Sequence, residues 1–458
     1  MRWSTWIMGF VVIGFAGGCG SSGGGVDAGP DGSTDTDSDT DADTDTDTDS
    51  DSDTDAGPDG GEPFDCEEFE CPSGGVLYVD ADATGDSTGL SWANAVSDLQ
   101  LGLAMGECCA PVQLWVAEGM YVPGATRDDT FQLVGGVALY GGFAGDEMDL
   151  SDRDVIANET ILSGDLGIVG DNSDNAYNVV SGANDSTIDG FRITAGNAGD
   201  DGSGGGMRNT SSSPTVTNCI FSGNSAGWGG GMSNSPSFQT MPGSSPTLTN
   251  CTFSGNAAGV GGGMYNFDSS PTLTNCIFSG NSAGEGGAGG GMSNSGSSPT
   301  LTNCIFSGNS AGIAGGGMSN YSSSPTVTNC IFIGNTAGTR GGGMDNYSSS
   351  PILANCVLWG DTVSTGSEIY DGSSTSTVTY SNIQGGFTGE GNIDVDPLFV
   401  DAASGDLHLQ PTSPCIDTGS NDAVPDDVTT DPDGDPRIVD GDGDSTATVD
   451  KGAYEYQP

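Results

Sequence analysis

Apolar and polar residues alternate in short bursts through the middle of the chain, and the bursts recur. Thr272-Leu273-Thr274-Asn275-Cys276-Ile277-Phe278 is one of them. A period of two predicts short strands, and the Gly, Asn, Ser and Pro clusters between bursts predict turns. The whole sentence is written six times between residues 202 and 360. Gly-Gly-Gly-Met stands at 204–207, 229–232, 261–264, 289–292, 315–318 and 341–344. Two residues after each Met comes Asn209, Asn234, Asn266, Asn294, Asn320 or Asn346. A Pro follows, then an Asn-Cys pair, then Phe-Ser-Gly-Asn or a near variant. The sixth copy decays to Leu358-Trp359-Gly360-Asp361. The cysteines are spaced by 32, 25, 28, 26 and 26 residues. Earlier in the chain, 76–79, 112–116, 136–140 and 186–191 also read as strands. The one helical stretch runs from Ser91 through Met105.

A repeat of this length means a stacked architecture in which no unit is stable alone. Helix formers are scarce, which excludes helical solenoids. About 26 residues of short strands and tight turns fit one coil of a parallel β-helix, with equivalent residues ~4.8 Å apart in successive coils. Each coil then adds a Met, a Val or Leu, a Cys and a Phe to one continuous core. Asn side chains at turns can join into ladders between coils, and Gly supplies the positive φ of tight corners. The stacked cysteines point the same way, so bridging between coils is geometrically poor. They are expected as buried free thiols.

Gly-Gly-Gly-Met and Phe-Ser-Gly-Asn resemble the GGA-I/L/V and Phe-x-x-Asn elements of polymorphic outer-membrane protein repeats. The resemblance implies a right-handed parallel β-helix displayed on a cell surface, often as an adhesin. Tyr78 to Gly164 resembles the N-terminal part of secreted β-helix proteins related to the pectate-lyase fold. The helical stretch is expected to cap the open end there. Residues 391–458 resemble a choice-of-anchor segment through Asp396-Pro397-Leu398-Phe399, Ser413-Pro414-Cys415-Ile416-Asp417, Pro436-Arg437-Ile438-Val439-Asp440 and Gly452-Ala453-Tyr454-Glu455. They are expected to close the last coil. The fold class is therefore all-β, a pectate-lyase-like solenoid over 66–390 with a closing segment over 391–458.

Ahead of the solenoid the pattern changes twice. Arg2, an apolar run from Trp3 to Phe15 and Ala16-Gly17-Gly18-Cys19 read as a secretory signal over 1–19. The run is too short to span a bilayer. Small residues ending on Cys resemble a bacterial lipobox, which implies a lipid on Cys19. Gly20 rather than Asp after it points to the outer membrane and a surface location. From 20 to 65 the chain is Asp, Thr and Ser with almost nothing to bury, so a disordered acidic linker is expected.

Charge sharpens this division. The net charge is −55, from 63 acids against 8 bases. Such a chain repels phosphate, which excludes nucleic acid as a partner and excludes a basic membrane-binding helix. Yet the repeats over 202–360 hold only Asp268, Glu285 and Asp345 against Arg208 and Arg340. Residues 27–65 and 391–458 carry 16 acids each. In the latter, Asp431, Asp433, Asp435, Asp440, Asp442 and Asp444 suggest a structural calcium, which takes six to eight oxygens. A solvated acidic turn is the alternative, and no other cofactor is implied. Export would place Cys66, Cys71, Cys108 and Cys109 in an oxidising compartment, where two bridges are expected with the vicinal pair bonding to Cys66 and Cys71.

The near-neutral repeats offer little acid–base chemistry. Arg208 and Arg340 lie far apart, Arg127, Arg153 and Arg192 sit in no lyase-type motif, and the one His, His408, lies outside the repeats. The paired carboxylates of glycosidases and the polygalacturonase-like Gly-His-Gly element are not evident. Binding fits better. Three residues after Met stand Phe267, Tyr321 and Tyr347, an aromatic column that can stack sugars. After each Cys stands an outward Ile, Val or Thr, a stripe able to meet a protein. The expectation is a non-catalytic surface lipoprotein acting in adhesion, held to the membrane by its lipid, with a glycan or protein partner. A polysaccharide lyase or glycoside hydrolase is the first alternative, and a passive structural component the second.

Overall fold

The computed structural model describes residues 64–458, apart from Glu68, Gln239, Thr240, Thr365 and Gly366. The signal, Cys19 and nearly all of the acidic linker lie outside the described residues. From Val76 onward the chain winds into coils whose strands pair in parallel with the coil before and after. Three long sheets result, of eleven, nine and ten strands. The first runs from Val76–Val79 to Thr377–Thr379, the second from Phe131–Gln132 to Ile369–Gly372, and the third from Gly119–Tyr121 to Asn382–Ile383. A fourth, six-stranded sheet starts at Ser225–Trp228 and ends at Thr362–Val363.

The repeat register is the sequence register. Met207, Met232, Met264, Met292, Met318 and Met344 pair in turn along the second sheet. Phe221, Phe253, Phe278, Phe306 and Phe332 pair along the third. Their rings stack with centroids 4.6–4.7 Å apart. Such aromatic pairs contribute about 0.5–1.5 kcal/mol each beyond burial. The six repeat cysteines are buried free thiols in the same core, and burial pushes the Cys219 and Cys251 thiols well up.

Each Gly of the triplet has its own reason. The first takes a positive φ, between 59° and 70° in all six copies. A Cβ on the second, Gly262, would lie 2.5 Å from carbonyl oxygens of Gly290 and Ser282 in the next coil. A Cβ on the third, Gly263, would lie 2.9 Å from the Phe278 ring. Corners before Cys use the left-handed region too, filled by Asn218, Asn250, Asn275, Asn303, Asn329 and Asn355, a residue type enriched there.

Buried Asn side chains relay hydrogen bonds between coils, and each relay ends on an Asp. Asn209 donates to Asn234, and the chain of donations reaches Asn346, which donates to Asp371 at 2.9 Å. A second relay runs from Asn224 through Asn256, Asn281, Asn309 and Asn335 to Asp361. At the corner before Cys the direction reverses and ends on Asp189, which accepts from Asn218 at 2.8 Å. An ionised carboxylate only accepts, so it ends such a relay without leaving an amide N–H unpaired.

The helix starts later than Ser91. Trp92–Asn94 forms a single 3₁₀ turn, and the α-helix covers Leu99–Cys109. Asp98 sets its start by accepting from the Gln100 N–H at 2.8 Å. Its buried side packs on Val79, Leu114 and Val137. Cys66 is bonded to Cys108 and Cys71 to Cys109.

The other end differs more from expectation. Phe387 packs against the end of the core, and Ile393 pairs beside Asn382. Residues beyond Asp396 do not sit on the last coil alone. Phe399, Leu407, Leu409, Cys415, Ile416 and Ala453 pack on Ile305, Ile331 and Val357, the outward positions of the third sheet. Backbone bonds from Gly452 and Ser420 to Asn355 fix this segment on the corner. The stripe after Cys is thus covered by the chain itself over three coils, with Ile305, Ile331 and Val357 only 4%, 1% and 0% exposed. Ile220, Thr252 and Ile277 remain half-buried.

Candidate functional site

The outer side of the second sheet carries the aromatic column. Phe267 pairs in register with Ser295, Ser295 with Tyr321, and Tyr321 with Tyr347. Phe267 is therefore two strand spacings, roughly 10 Å, from Tyr321 and does not extend the stack. Tyr321 and Tyr347 do stack, with centroids 5.7 Å apart and rings 1° from parallel. They are 57% and 43% exposed. Tyr370 joins them: a Cβ on Gly372 would lie 3.1 Å from both the Tyr347 and Tyr370 rings. The Arg340 guanidinium lies 5.6 Å from the Tyr370 centroid, and its Nε donates to Asp345 at 2.7 Å. Tyr370 escapes the sequence pattern because its coil lacks Gly-Gly-Gly-Met and because it pairs with Asp345, one residue after the Met position and not three. Ile369 stands in the Met register, paired with Met344.

The six acids of the closing segment separate into different roles. Asp431 accepts from the backbone N–H groups of Asp433, Asp435 and Glu455. Asp433 bonds His408 Nε2 at 2.6 Å, and Asp406 bonds Nδ1 at 2.7 Å. An imidazole facing two carboxylates satisfies both only as imidazolium. Burial pulls the His408 pKa down, but the bonds to Asp406 and Asp433 outweigh it and leave it raised. Asp444 accepts from the Thr446 N–H. Asp440 and Asp442 instead meet Asp417, 23 residues before Asp440, with ligand oxygens of all three within 4.8 Å of one another. Asp417 Oδ1 is buried there without a hydrogen-bond partner, an arrangement that fits a hard cation. Nothing in the spacing of the sequence marks Asp417 as the third acid.

Among the described residues, all the arginines weighed for catalysis but Arg208 have structural partners, and Arg340 is the one paired with Asp345. Arg153 pairs with Asp189 at 2.8 Å and Arg192 with Glu159 at 2.5 Å. Arg127 donates to the carbonyls of Asn175 and Asn197. A buried carboxyl pair, Asp361 and Glu368, stands at the end of the second Asn relay. Burial and the neighbouring Asp361 push Glu368 up to about 10, and burial pushes Asp361 up to about 6.

Residues 149–291 match the family described as right handed beta helix region. No curated protein matches the chain. Among solved structures, pectin methylesterase PemA from Erwinia chrysanthemi is similar at 9% identity and a TM-score of 0.34, over 72% of this chain and 95% of that one. The parallel strand order and the family match agree on one fold, a right-handed parallel β-helix.

Proposed function

We propose that this chain is a non-catalytic, surface-displayed binding protein that acts in adhesion, carried on a lipid at Cys19 and an acidic linker. The observation that carries this reading is the exposed Tyr321–Tyr347 stack with Tyr370 beside it. Rings held in register by a parallel sheet offer flat apolar platforms at low entropic cost, which suits the faces of sugar rings. The pairings of Arg153, Arg192 and Arg340 support binding over catalysis, since they tie up most of the cations that a lyase would need and leave Arg208 alone in its coil. The test is a panel of polysaccharides offered to the full chain and scored for retention and for released products. Retention without new chain ends is expected; unsaturated or reducing ends would favour the enzyme alternative. Calcium is proposed at Asp417, Asp440 and Asp442. Adding calcium should raise the melting temperature, and D442N should abolish the increment.

A further inference from the structure

The coil just before the repeats holds a second feature of a different kind. A cavity of about 510 Å³ opens between the second sheet and the start of the fourth, lined in part by Tyr177, Asn178, Asp201, Arg208 and Trp228. Two large aromatics are left exposed in it, Tyr177 at 39% and Trp228 at 40%. The Tyr177 ring and the Trp228 backbone are both held. The Arg127 guanidinium lies 4.2 Å from the Tyr177 centroid, held there by its bonds to Asn175 and Asn197. The Trp228 backbone N–H bonds the Gly202 carbonyl at 3.1 Å and holds its strand against that loop. The loop at 198–203 is pinned in turn, because Asn178 Nδ2 donates to the carbonyls of Ser203 and Gly204 at 2.7 Å each. A Cβ on Gly227 would collide with the Asp200 carbonyl, so the loop approaches the Trp228 strand only because that residue is Gly. Asn178 Nδ2, Thr130 and Ser181 are hydrogen-bonded within the protein, so the charged groups are the chief polar contacts left for a ligand. Arg208 has no ion-pair partner among the described residues, unlike Arg153, Arg192 and Arg340.

We infer that this cavity is a binding subsite for a neutral pyranose oligosaccharide. Aromatic faces meet the C–H faces of sugar rings, while a carboxylate, a guanidinium and the Asn178 amide oxygen bond their hydroxyls. The volume lies within the range of small-molecule sites, about 300–1,000 Å³. Exclusion of polyanions follows from charge: a chain at −55 repels them at long range, and the cavity's own Asp128 and Asp201 outnumber Arg208. The Tyr177 ring and the backbone under Trp228 are held before the ligand arrives, which lowers the ordering cost that opposes binding. The inference shares the binding reading given above but none of its residues, so the two can fail separately.

The test is calorimetric titration of the full chain with cellohexaose, chitohexaose, mannohexaose and trigalacturonate. At least one neutral hexaose should bind, W228A and R208A should each weaken it at least tenfold, and Y321A/Y347A should change it less than twofold. Both single variants alter exposed side chains, and an unchanged melting temperature confirms their folds. The inference is overturned if no neutral hexaose binds, if W228A and R208A bind like the wild type, or if only trigalacturonate depends on Trp228. Loss confined to Y321A/Y347A would also overturn it, while leaving the tyrosine face standing. Loss confined to W228A and R208A would support it and remove the tyrosines from the site.

Discussion

At the residue scale, the repeat is a set of side chains chosen to bond copies of themselves. Asn281 shows it. Its Nδ2 donates to Asn309 Oδ1 and to the Phe253 carbonyl, both at 2.9 Å. Its Oδ1 accepts from the N–H and the Nδ2 of Asn256. Removing one partner from a buried bond leaves the other unsatisfied, at about 1–3 kcal/mol each. N281A should therefore destabilise by at least about 2 kcal/mol. N275A, at the half-buried corner, should cost less than half as much. Chemical denaturation of the two variants separates these values. Much of this was legible in the sequence, because Asn, Cys, Phe and Met recur at fixed offsets and only stacking puts like beside like. The direction of each relay was not legible. It depends on amide orientation, which the sequence shows only at the ends, where Asp361 and Asp371 stand in for Asn; Asp189, which ends the corner relay, stands in the Thr217 register instead.

At the element scale, the last coil is where regularity stops and protonation begins to matter. Asp361 accepts from the Asn335 backbone N–H and Nδ2. Its Oδ2 and Glu368 Oε2 are buried without partners among the described residues. Glu368 has a folded pKa of about 10, raised mainly by burial and by Asp361, against 4.5 for the free side chain. The folded state therefore holds that proton more tightly than the unfolded chain. Stability from this group is fully present below about pH 4.5 and is lost as pH rises toward 10. E368Q keeps a neutral side chain at every pH. At pH 8 it should be more stable than the wild type by at least about 1 kcal/mol, with the gap closing at pH 4. Melting temperatures across that range decide it; a constant gap would show that the pair does not titrate with folding. The sequence hinted at this end only through decay of the motif to Leu358-Trp359-Gly360-Asp361. The helix at the other end was placed too early for a local reason. Asp98 caps it, while Trp92–Asn94 forms its own turn.

At the scale of the whole molecule, the closing segment was the least legible part. Its few apolar residues, Phe399, Leu407, Leu409 and Ile416, reveal a hairpin at most, and local pattern cannot say which surface they cover. The structure lays them on Ile305, Ile331 and Val357, so over three coils the apolar stripe is an internal interface. Removing residues 397–458 should expose that stripe together with Ile333 and Trp359. The truncated chain should bind a hydrophobic dye and self-associate in sedimentation; a monomer that binds no dye would show the segment to be dispensable cover. With the third sheet covered there, the second remains the side that displays a run of exposed aromatics. The most direct test of that account is the affinity of the full chain for whichever polysaccharide it retains, measured against Y321A/Y347A by calorimetry with chain ends assayed in the same sample. The account predicts at least a tenfold loss of affinity, an unchanged melting temperature and no new chain ends. Equal affinity in the variant, or cleavage of the polysaccharide by the wild type, would contradict it.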